Sequence, residues 1–271
     1  MQSKLLYAPS YANSWALVIG VNTYARCGQL DYACNDAEAI AAVLKTRFGF
    51  PDDRVTLLLD SSASQDNIRA AFLRFTNSDV LLDDRIVVFF AGHGFTARGR
   101  RGEVGFLVPV NGDPNELSSL IPWHDLTRNA ELIPAKHVLF FMDACYGGRA
   151  ITRALAPGSK RFLKEMLQRP ARQVLTAGKA DEVVADAGGP RSGHSMFTGH
   201  LLDALEGAAA AADGIISANA VMAYVYDRVS KDPPRDSLRT TGFWTAMATS
   251  SFMRRRRLTQ LSPCRRLMKT C

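Results

Sequence analysis

The sequence predicts an α/β fold in which a mainly parallel sheet of roughly six strands lies between helices. Short apolar runs alternate along the chain with segments of helical spacing, which is typical of right-handed βαβ units. Two of the runs, at 86–91 and 138–142, end in glycine-rich turns that carry a histidine and a cysteine. Because open α/β sheets bind ligands at the carboxyl ends of their strands, these turns mark the candidate site.

Six apolar runs are the predicted strands of the sheet. The first, at 15–21, lies near the N-terminus, where a secretory signal is the alternative, but it is short and follows a single Lys4. A short extra strand is expected at 103–110 and an exposed loop at 96–102. No run approaches the ~18 apolar residues of a membrane helix. With no secretory signal indicated, the cytoplasm is the default location. The other five runs are at 55–60, 86–91, 137–142, 173–178 and 242–248.

Five helices are predicted between and after these strands. Asn35 and Asp36 open the first, glycine and proline end it at 49–51, and Asp36 is its candidate N-cap. Residues 1–13 are expected to form a leader before one large domain at 14–252. The remaining helices are expected at 64–75, 123–131, 195–205 and 217–229.

Positive charge is concentrated at the C-terminus. The chain of 271 residues has a net charge of +7, and residues 254–271 alone contain seven Lys and Arg and no acid. The body is therefore neutral, and nucleic acid is not an expected partner for it. Residues 253–271 are predicted to be a disordered basic tail, with contact to anionic lipid or nucleic acid as the alternative.

The cysteines do not form a recognisable structural set. There are five, an odd number, and no pair has the CxxC spacing. Neither a disulfide framework nor a zinc site is indicated, and no metal ligands are assigned.

His93 and Cys145 occupy matching positions at the tips of two predicted strands. A cysteine is a nucleophile as the thiolate, and a neighbouring histidine can accept its proton. The glycines on both sides of His93 leave space for a peptide substrate. The backbone N–H groups of Gly94 and Cys145 are candidate donors to the oxyanion of a tetrahedral intermediate.

Each member of this pair also has a structural interpretation. A single cysteine after an apolar strand is commonly a small buried side chain, and a Gly-His-Gly turn is commonly structural. The matching strand-end settings favour the catalytic interpretation. The other histidines lack that setting and are interpreted as structural: His124, His137, His194 and His200.

The two turns resemble the catalytic pair of caspase-like cysteine peptidases. Phe90-Ala91-Gly92-His93-Gly94 precedes Met142-Asp143-Ala144-Cys145 by about 50 residues, which is the caspase layout. True caspases have glutamine in place of Asp143, so the chain is more similar to metacaspases and their prokaryotic relatives, the orthocaspases. The resemblance covers about residues 15–250 and includes motifs at 18–24, 35–37 and 107–111.

The resemblance implies a three-layer αβα sandwich and a cysteine endopeptidase with a His93–Cys145 dyad. In metacaspase-like enzymes two aspartates line the primary pocket, and they map onto Asp36 and Asp143. Two carboxylates would attract Arg or Lys and repel Asp in the substrate. Ala91 and Ala33 stand where metacaspases often have serine and cysteine, which removes polar groups near the expected pocket. No acidic cluster matches the calcium site of calcium-activated relatives, so no cofactor is expected.

The resemblance further implies a large segment at 14–149, a basic connector at 150–172 and a small segment at 173–252. Family members are often cut between the two segments. Self-processing is therefore expected after Arg153, Lys160 or Arg161. The alternative is that these are simply solvated basic residues.

Two other functions stay open. A catalytically silent adaptor of the same fold would bind partner proteins, although the intact His93 and Cys145 pair argues against it. A flavodoxin-like nucleotide-binding domain would need a phosphate-cradling glycine loop after the first strand, and residues 20–24 do not supply one.

Overall fold

Within the residues that the structure describes, a five-stranded parallel sheet forms the centre of the fold. The computed structural model describes residues 11–77, 79–99, 102–144, 171–176, 189–210, 215–231 and 253–254. The central sheet has the strand order β2-β1-β3-β7-β8, and all of its pairings are parallel, as predicted. The sixth predicted strand, at 242–248, lies outside the described residues. The strands are β1 (Ser14–Gly20), β2 (Val55–Leu59), β3 (Arg85–Ala91), β4 (Gly94–Gly99), β5 (Gly102–Leu107), β6 (Ile121–Pro122), β7 (His137–Asp143), β8 (Ala171–Thr176), β9 (Ile215–Ile216) and β10 (Met253–Arg254).

Helices cover both faces of the sheet and complete the three-layer αβα sandwich. One face packs against α1, α4 and α5, and the other packs against α2 and α3. The central strands β3 and β7 are buried at every position, as expected for strands covered on both sides. The helices are α1 (Ala33–Phe48), α2 (Gln65–Leu73), α3 (Trp123–Ala130), α4 (Met196–Asp203) and α5 (Ala218–Lys231).

The first helix begins earlier than the sequence predicted. It starts at Ala33, and Tyr32 occupies the N-cap position without a side-chain hydrogen bond. The prediction that Asp36 is the N-cap is therefore wrong: its carboxylate faces a segment near residue 194, as described below. Gly49 has the left-handed conformation (φ 72°) and ends the helix where glycine was expected to end it.

The glycine- and arginine-rich segment after His93 is a strand rather than an exposed loop. β4 pairs antiparallel with β5, and β6 completes a second, three-stranded sheet. Phe95 packs against Phe106 across this pair, with ring centroids 6.4 Å apart. The loop prediction is wrong for residues 96–99 and 102, because cross-strand contacts stabilise a segment whose composition favours a turn.

A buried polar cluster lies at the amino ends of β3 and β7, opposite the candidate site. The Tyr11 hydroxyl bonds Nδ1 of His137 at 2.7 Å. Arg85 donates to Ser14 Oγ at 2.8 Å and to the Phe48 carbonyl at 2.7 Å. Burial lowers the pKa of Arg85 to about 10. These contacts agree with a structural role for His137.

Two further observations concern the predicted tail and membrane-spanning helices. Met253 and Arg254, within the range predicted to be tail, pair as β10 with β9. None of the helices in the described ranges is long and apolar enough to cross a membrane.

Candidate active site

The strands β3 and β7 end at the same level of the sheet. Their register pairs Ala91 with Asp143, and the Gly92 N–H donates to the Asp143 carbonyl at 3.2 Å. In the chain, His93 and Cys145 each follow two residues after this last pair. Cys145 itself lies outside the described residues. The register brings the chain positions that precede the two residues to one edge of the sheet.

A hydrogen bond made by the His93 ring determines which of its two nitrogens can act as a base. Nε2 lies 2.8 Å from the carbonyl oxygen of Gly28. A carbonyl only accepts hydrogen bonds, so Nε2 carries the proton in this arrangement. Nδ1 is then the nitrogen that can accept a proton from a thiol. The sequence reasoning assigned no residue to this orienting role, because a backbone carbonyl leaves no signature in the side chains.

Tyr24 contacts both the backbone and the ring of His93. Its hydroxyl accepts the His93 N–H at 2.8 Å, and the two ring centroids are 4.7 Å apart. Burial raises the pKa of Tyr24, so its hydroxyl stays protonated throughout the neutral range. A Cβ added at Gly92 would lie 2.5 Å from the Tyr24 hydroxyl, so the glycine is what permits this close approach.

The two predicted pocket acids are buried and bound by the same short segment. Asp36 is 1% exposed, and Asp143 is 6% exposed. The Ser195 N–H donates to Asp36 at 3.3 Å, while the Ser195 hydroxyl donates to Asp143 at 2.5 Å. The Thr198 hydroxyl also donates to Asp143 at 2.5 Å. Ser195 therefore joins the two carboxylates that the resemblance assigned to one pocket.

His194 is the second residue of this segment that meets Asp36. Its Nδ1 lies 2.7 Å from the Asp36 carboxylate, and its side chain is 19% exposed. Burial, together with the positive charge of Arg191, lowers the pKa of His194. Because a carboxylate accepts hydrogen bonds, Nδ1–H of His194 is the donor to Asp36. The sequence analysis interpreted His194 as structural, and the contact places it beside a predicted pocket residue.

Sequence reasoning missed the role of the segment 194–198. Ser195 was recognisable only as the start of a helix, and it does cap α4 by accepting the Thr198 N–H at 2.9 Å. Its contact with Asp143 joins residues 52 positions apart, and the contact of His194 with Asp36 joins residues 158 apart. Separations of this size carry no local pattern.

Gly94 and the two described cysteines, Cys27 and Cys34, are the remaining candidate groups. Gly94 follows His93 directly and begins β4. Cys34 lies in α1, and its thiol donates to the Gly20 carbonyl at 3.4 Å. Burial and the charge of Asp60 raise the pKa of Cys34 to about 11, and burial with Asp113 raises the pKa of Cys27. Neither thiol is therefore activated as a nucleophile.

The sequence is similar to those of known proteins. A family model described as the caspase domain matches residues 13–258. Metacaspase-7 of Arabidopsis thaliana is 27% identical over 150 residues, which cover 51% of this chain and 36% of that protein. Metacaspase III c of Phaeodactylum tricornutum is 28% identical over 147 residues, which cover 50% of this chain and 43% of that protein. The matches thus span less than half the length of these relatives.

Solved structures with low sequence identity have the same fold. Caspase-1 from Spodoptera frugiperda aligns with a TM-score of 0.57 at 15% identity, covering 92% of this chain and 91% of that one. A Geobacter sulfurreducens protein aligns with a TM-score of 0.58 at 18% identity, covering 88% of this chain and 93% of that one. Identities this low establish similarity of fold.

Proposed function

The chain belongs to the caspase domain family, and on that premise we propose that it is a cysteine endopeptidase cutting peptide bonds after Arg or Lys. The observation that carries the proposal is the orientation of His93. Its Nε2–H is bound to the Gly28 carbonyl, which leaves Nδ1 as the acceptor. It lies beyond β3, whose neighbour β7 leads directly into Cys145.

The reaction uses Cys145 as the nucleophile and His93 as the acid and base. His93 Nδ1 accepts the thiol proton, and the thiolate attacks the scissile carbonyl carbon. The backbone N–H groups of Gly94 and Cys145 stabilise the oxyanion. When the C–N bond breaks, His93 returns the proton to the leaving amine. Water then hydrolyses the thioester, adding OH to the acyl carbon and H to the sulfur.

Specificity for a basic side chain rests on Asp36 and Asp143. Both carboxylates bond the same residue, Ser195, so the two negative charges belong to one region of the molecule. A buried pair of acids favours a guanidinium or ammonium group and disfavours a substrate aspartate. This supports cleavage after Arg and Lys.

Fluorogenic peptides with Arg, Lys or Asp before the scissile bond test the activity. We expect wild type to hydrolyse the Arg and Lys peptides, and Cys145→Ala and His93→Ala to hydrolyse none. Hydrolysis of the Asp peptide alone would refute the acidic pocket. No hydrolysis of any peptide would favour a silent adaptor. Adding calcium or a chelator to parallel reactions tests our proposal that no cofactor is needed, since activity that depends on calcium would contradict it.

Asp143→Asn tests the pocket more directly. Loss of one charged contact to the substrate is expected to lower kcat/KM for the Arg peptide about 10-fold or more. Asp84→Asn is the matched control, because Asp84 is also buried and accepts from Asn13 and Trp15 at the amino end of β3. Equal losses in both variants would mean that Asp143 matters only for folding.

A further inference from the structure

The geometry points to Tyr24 as a positioning residue that holds His93 in its catalytic orientation. The inference rests on the proposed function, because it concerns the base of that reaction. Tyr24 meets His93 at two places: its hydroxyl accepts the backbone N–H, and its ring packs against the imidazole. The backbone and the ring of His93 are therefore held by one rigid side chain.

The loop that follows Tyr24 supplies the second support for His93. The Gln29 side-chain amide accepts the Tyr24 N–H at 3.2 Å and donates to the Tyr24 carbonyl at 3.1 Å. These two hydrogen bonds of the Gln29 amide close the loop that carries Gly28. The Gly28 carbonyl in turn accepts Nε2–H of His93. Tyr24 thus fixes the histidine directly and also anchors the loop that selects its tautomer.

The surroundings of Tyr24 leave it little freedom. It is 4% exposed and packs in the core cluster between the sheet and the helices α2 and α3. Gly92 lies against its hydroxyl, where any side chain would push it away from His93. A hydroxyl held this firmly fixes the position of the His93 backbone, and a fixed backbone keeps the ring close to the Gly28 carbonyl.

The role is specific because the tautomer of His93 decides which nitrogen reacts. With Nε2–H bound to the Gly28 carbonyl, Nδ1 is the nitrogen left to act as the base. If the His93 backbone shifted, Nε2 would separate from the carbonyl and the proton would exchange between both nitrogens. A misplacement of ~1 Å at a catalytic group can cost about 10²-fold in rate.

Tyr24→Phe removes the hydroxyl and keeps the ring, and Tyr11→Phe is its matched control. Tyr11 makes a similar contact to a different histidine, with its hydroxyl 2.7 Å from His137 Nδ1 at the opposite end of the sheet. We expect Tyr24→Phe to lower kcat for the Arg peptide about tenfold, with KM changed less than about twofold. Tyr11→Phe should leave both parameters within about twofold of wild type.

Nitrogen-15 NMR of histidine-labelled protein reads the tautomer without any substrate. The His93 signals, assigned with His93→Ala, should show a protonated Nε2 and a bare Nδ1 in wild type and in Tyr11→Phe. In Tyr24→Phe the two nitrogens should shift towards the average of the tautomers. Should that variant not fold, Gln29→Ala offers the same test from an exposed residue, and its spectrum should shift in the same direction.

The two measurements separate failure of this inference from failure of the proposed function. A wild type that hydrolyses peptides, with Tyr24→Phe matching Tyr11→Phe in kcat and in its His93 spectrum, would overturn the positioning role and leave the peptidase intact. A wild type without hydrolysis whose His93 tautomer still depends on Tyr24 would overturn the peptidase and support the positioning role.

Discussion

Ser195 donates its hydroxyl to Asp143 at 2.5 Å and its backbone N–H to Asp36 at 3.3 Å. One residue at the start of α4 thus connects the carboxyl end of β7 to the first turn of α1. The two acids come from the proposed large segment, and Ser195 comes from the small one. The candidate pocket therefore needs both segments, even though its charged groups belong to one of them.

Ser195→Ala measures how much this connection stabilises the fold. The variant loses the α4 cap and leaves Asp143 without one donor. Loss of a helix cap costs about 1 kcal/mol, and loss of one of the hydrogen bonds to the Asp143 carboxylate, which keeps that from Thr198, adds about 1.5–3 kcal/mol. We expect urea denaturation to report a decrease in unfolding free energy equal to the sum of both effects.

Ser64→Ala is the control for the cap alone. Ser64 caps α2 by accepting the Asn67 N–H at 3.3 Å. It is distant in the sequence from both pocket acids. Its loss should be about 1 kcal/mol. Equal losses in the two variants would show that the bond from Ser195 to Asp143 adds nothing to stability.

The sequence was sufficient for the described strands of the central sheet and for the turn that carries His93. Apolar runs and helical spacing are local patterns, so β1, β3 and β7 and the turn with His93 were predictable. The short strand β4 was not, because its stability comes from pairing with β5 and from the Phe95–Phe106 contact. The contacts of Asp36 with the segment at 194–195 arise from tertiary structure, and only the fold reveals them.

Gly92→Ala should impair the site by crowding Tyr24. The new Cβ would lie 2.5 Å from the Tyr24 hydroxyl and 3.0 Å from the Phe90 ring, both of which are buried. Since the core is close-packed, relief of the overlap displaces Tyr24 from the His93 N–H. We expect a loss of about 1–3 kcal/mol in stability and a fall in peptidase activity.

Gly28→Ala is the companion variant, because no atom lies within 4 Å of a Cβ built at Gly28. It keeps the backbone carbonyl that accepts from His93, so activity and thermal midpoint should match wild type. If Gly28→Ala were as damaging as Gly92→Ala, crowding of Tyr24 would not be the cause.

The described cysteines should react slowly with iodoacetamide at neutral pH. Burial and Asp60 raise the pKa of Cys34 to about 11, so the neutral thiol predominates well above pH 8. Below that pKa the thiolate fraction, and with it the alkylation rate of Cys34, should rise about tenfold per pH unit. Peptide mapping by mass spectrometry over pH 7 to about 10 measures this dependence. A rate that levels off near pH 8.5 would contradict it.

Cys145 should behave differently in the same experiment. If His93 accepts its proton, its alkylation at pH 7 is fast and falls in His93→Ala, while the rate of Cys34 is unchanged. His124→Ala is the control, because that side chain is 65% exposed and pairs with Asp125 in α3. A Cys145 rate that is indifferent to His93→Ala would contradict the dyad.

Self-processing should not cut the chain after Arg172, although the sequence placed that residue in the basic connector. Arg172 lies in β8, opposite Val138 of β7, and its guanidinium donates to the carbonyls of Ala130, Ile133 and Lys136. A peptidase needs an extended and accessible backbone, which a residue paired within a sheet does not offer. Cleavage is therefore expected only at basic residues upstream of β8.

Intact mass spectrometry of wild type beside Cys145→Ala after incubation makes the comparison. We expect fragments that begin after Arg153, Lys160 or Arg161 in wild type and an uncut chain in Cys145→Ala. A fragment that begins at Gln173 would contradict the protection of Arg172, and equal uncut masses would refute self-processing.

Arg172→Met, which removes three carbonyl contacts, should lower the unfolding free energy by at least about 1–3 kcal/mol, whereas the same change at the exposed Arg128 should have little effect.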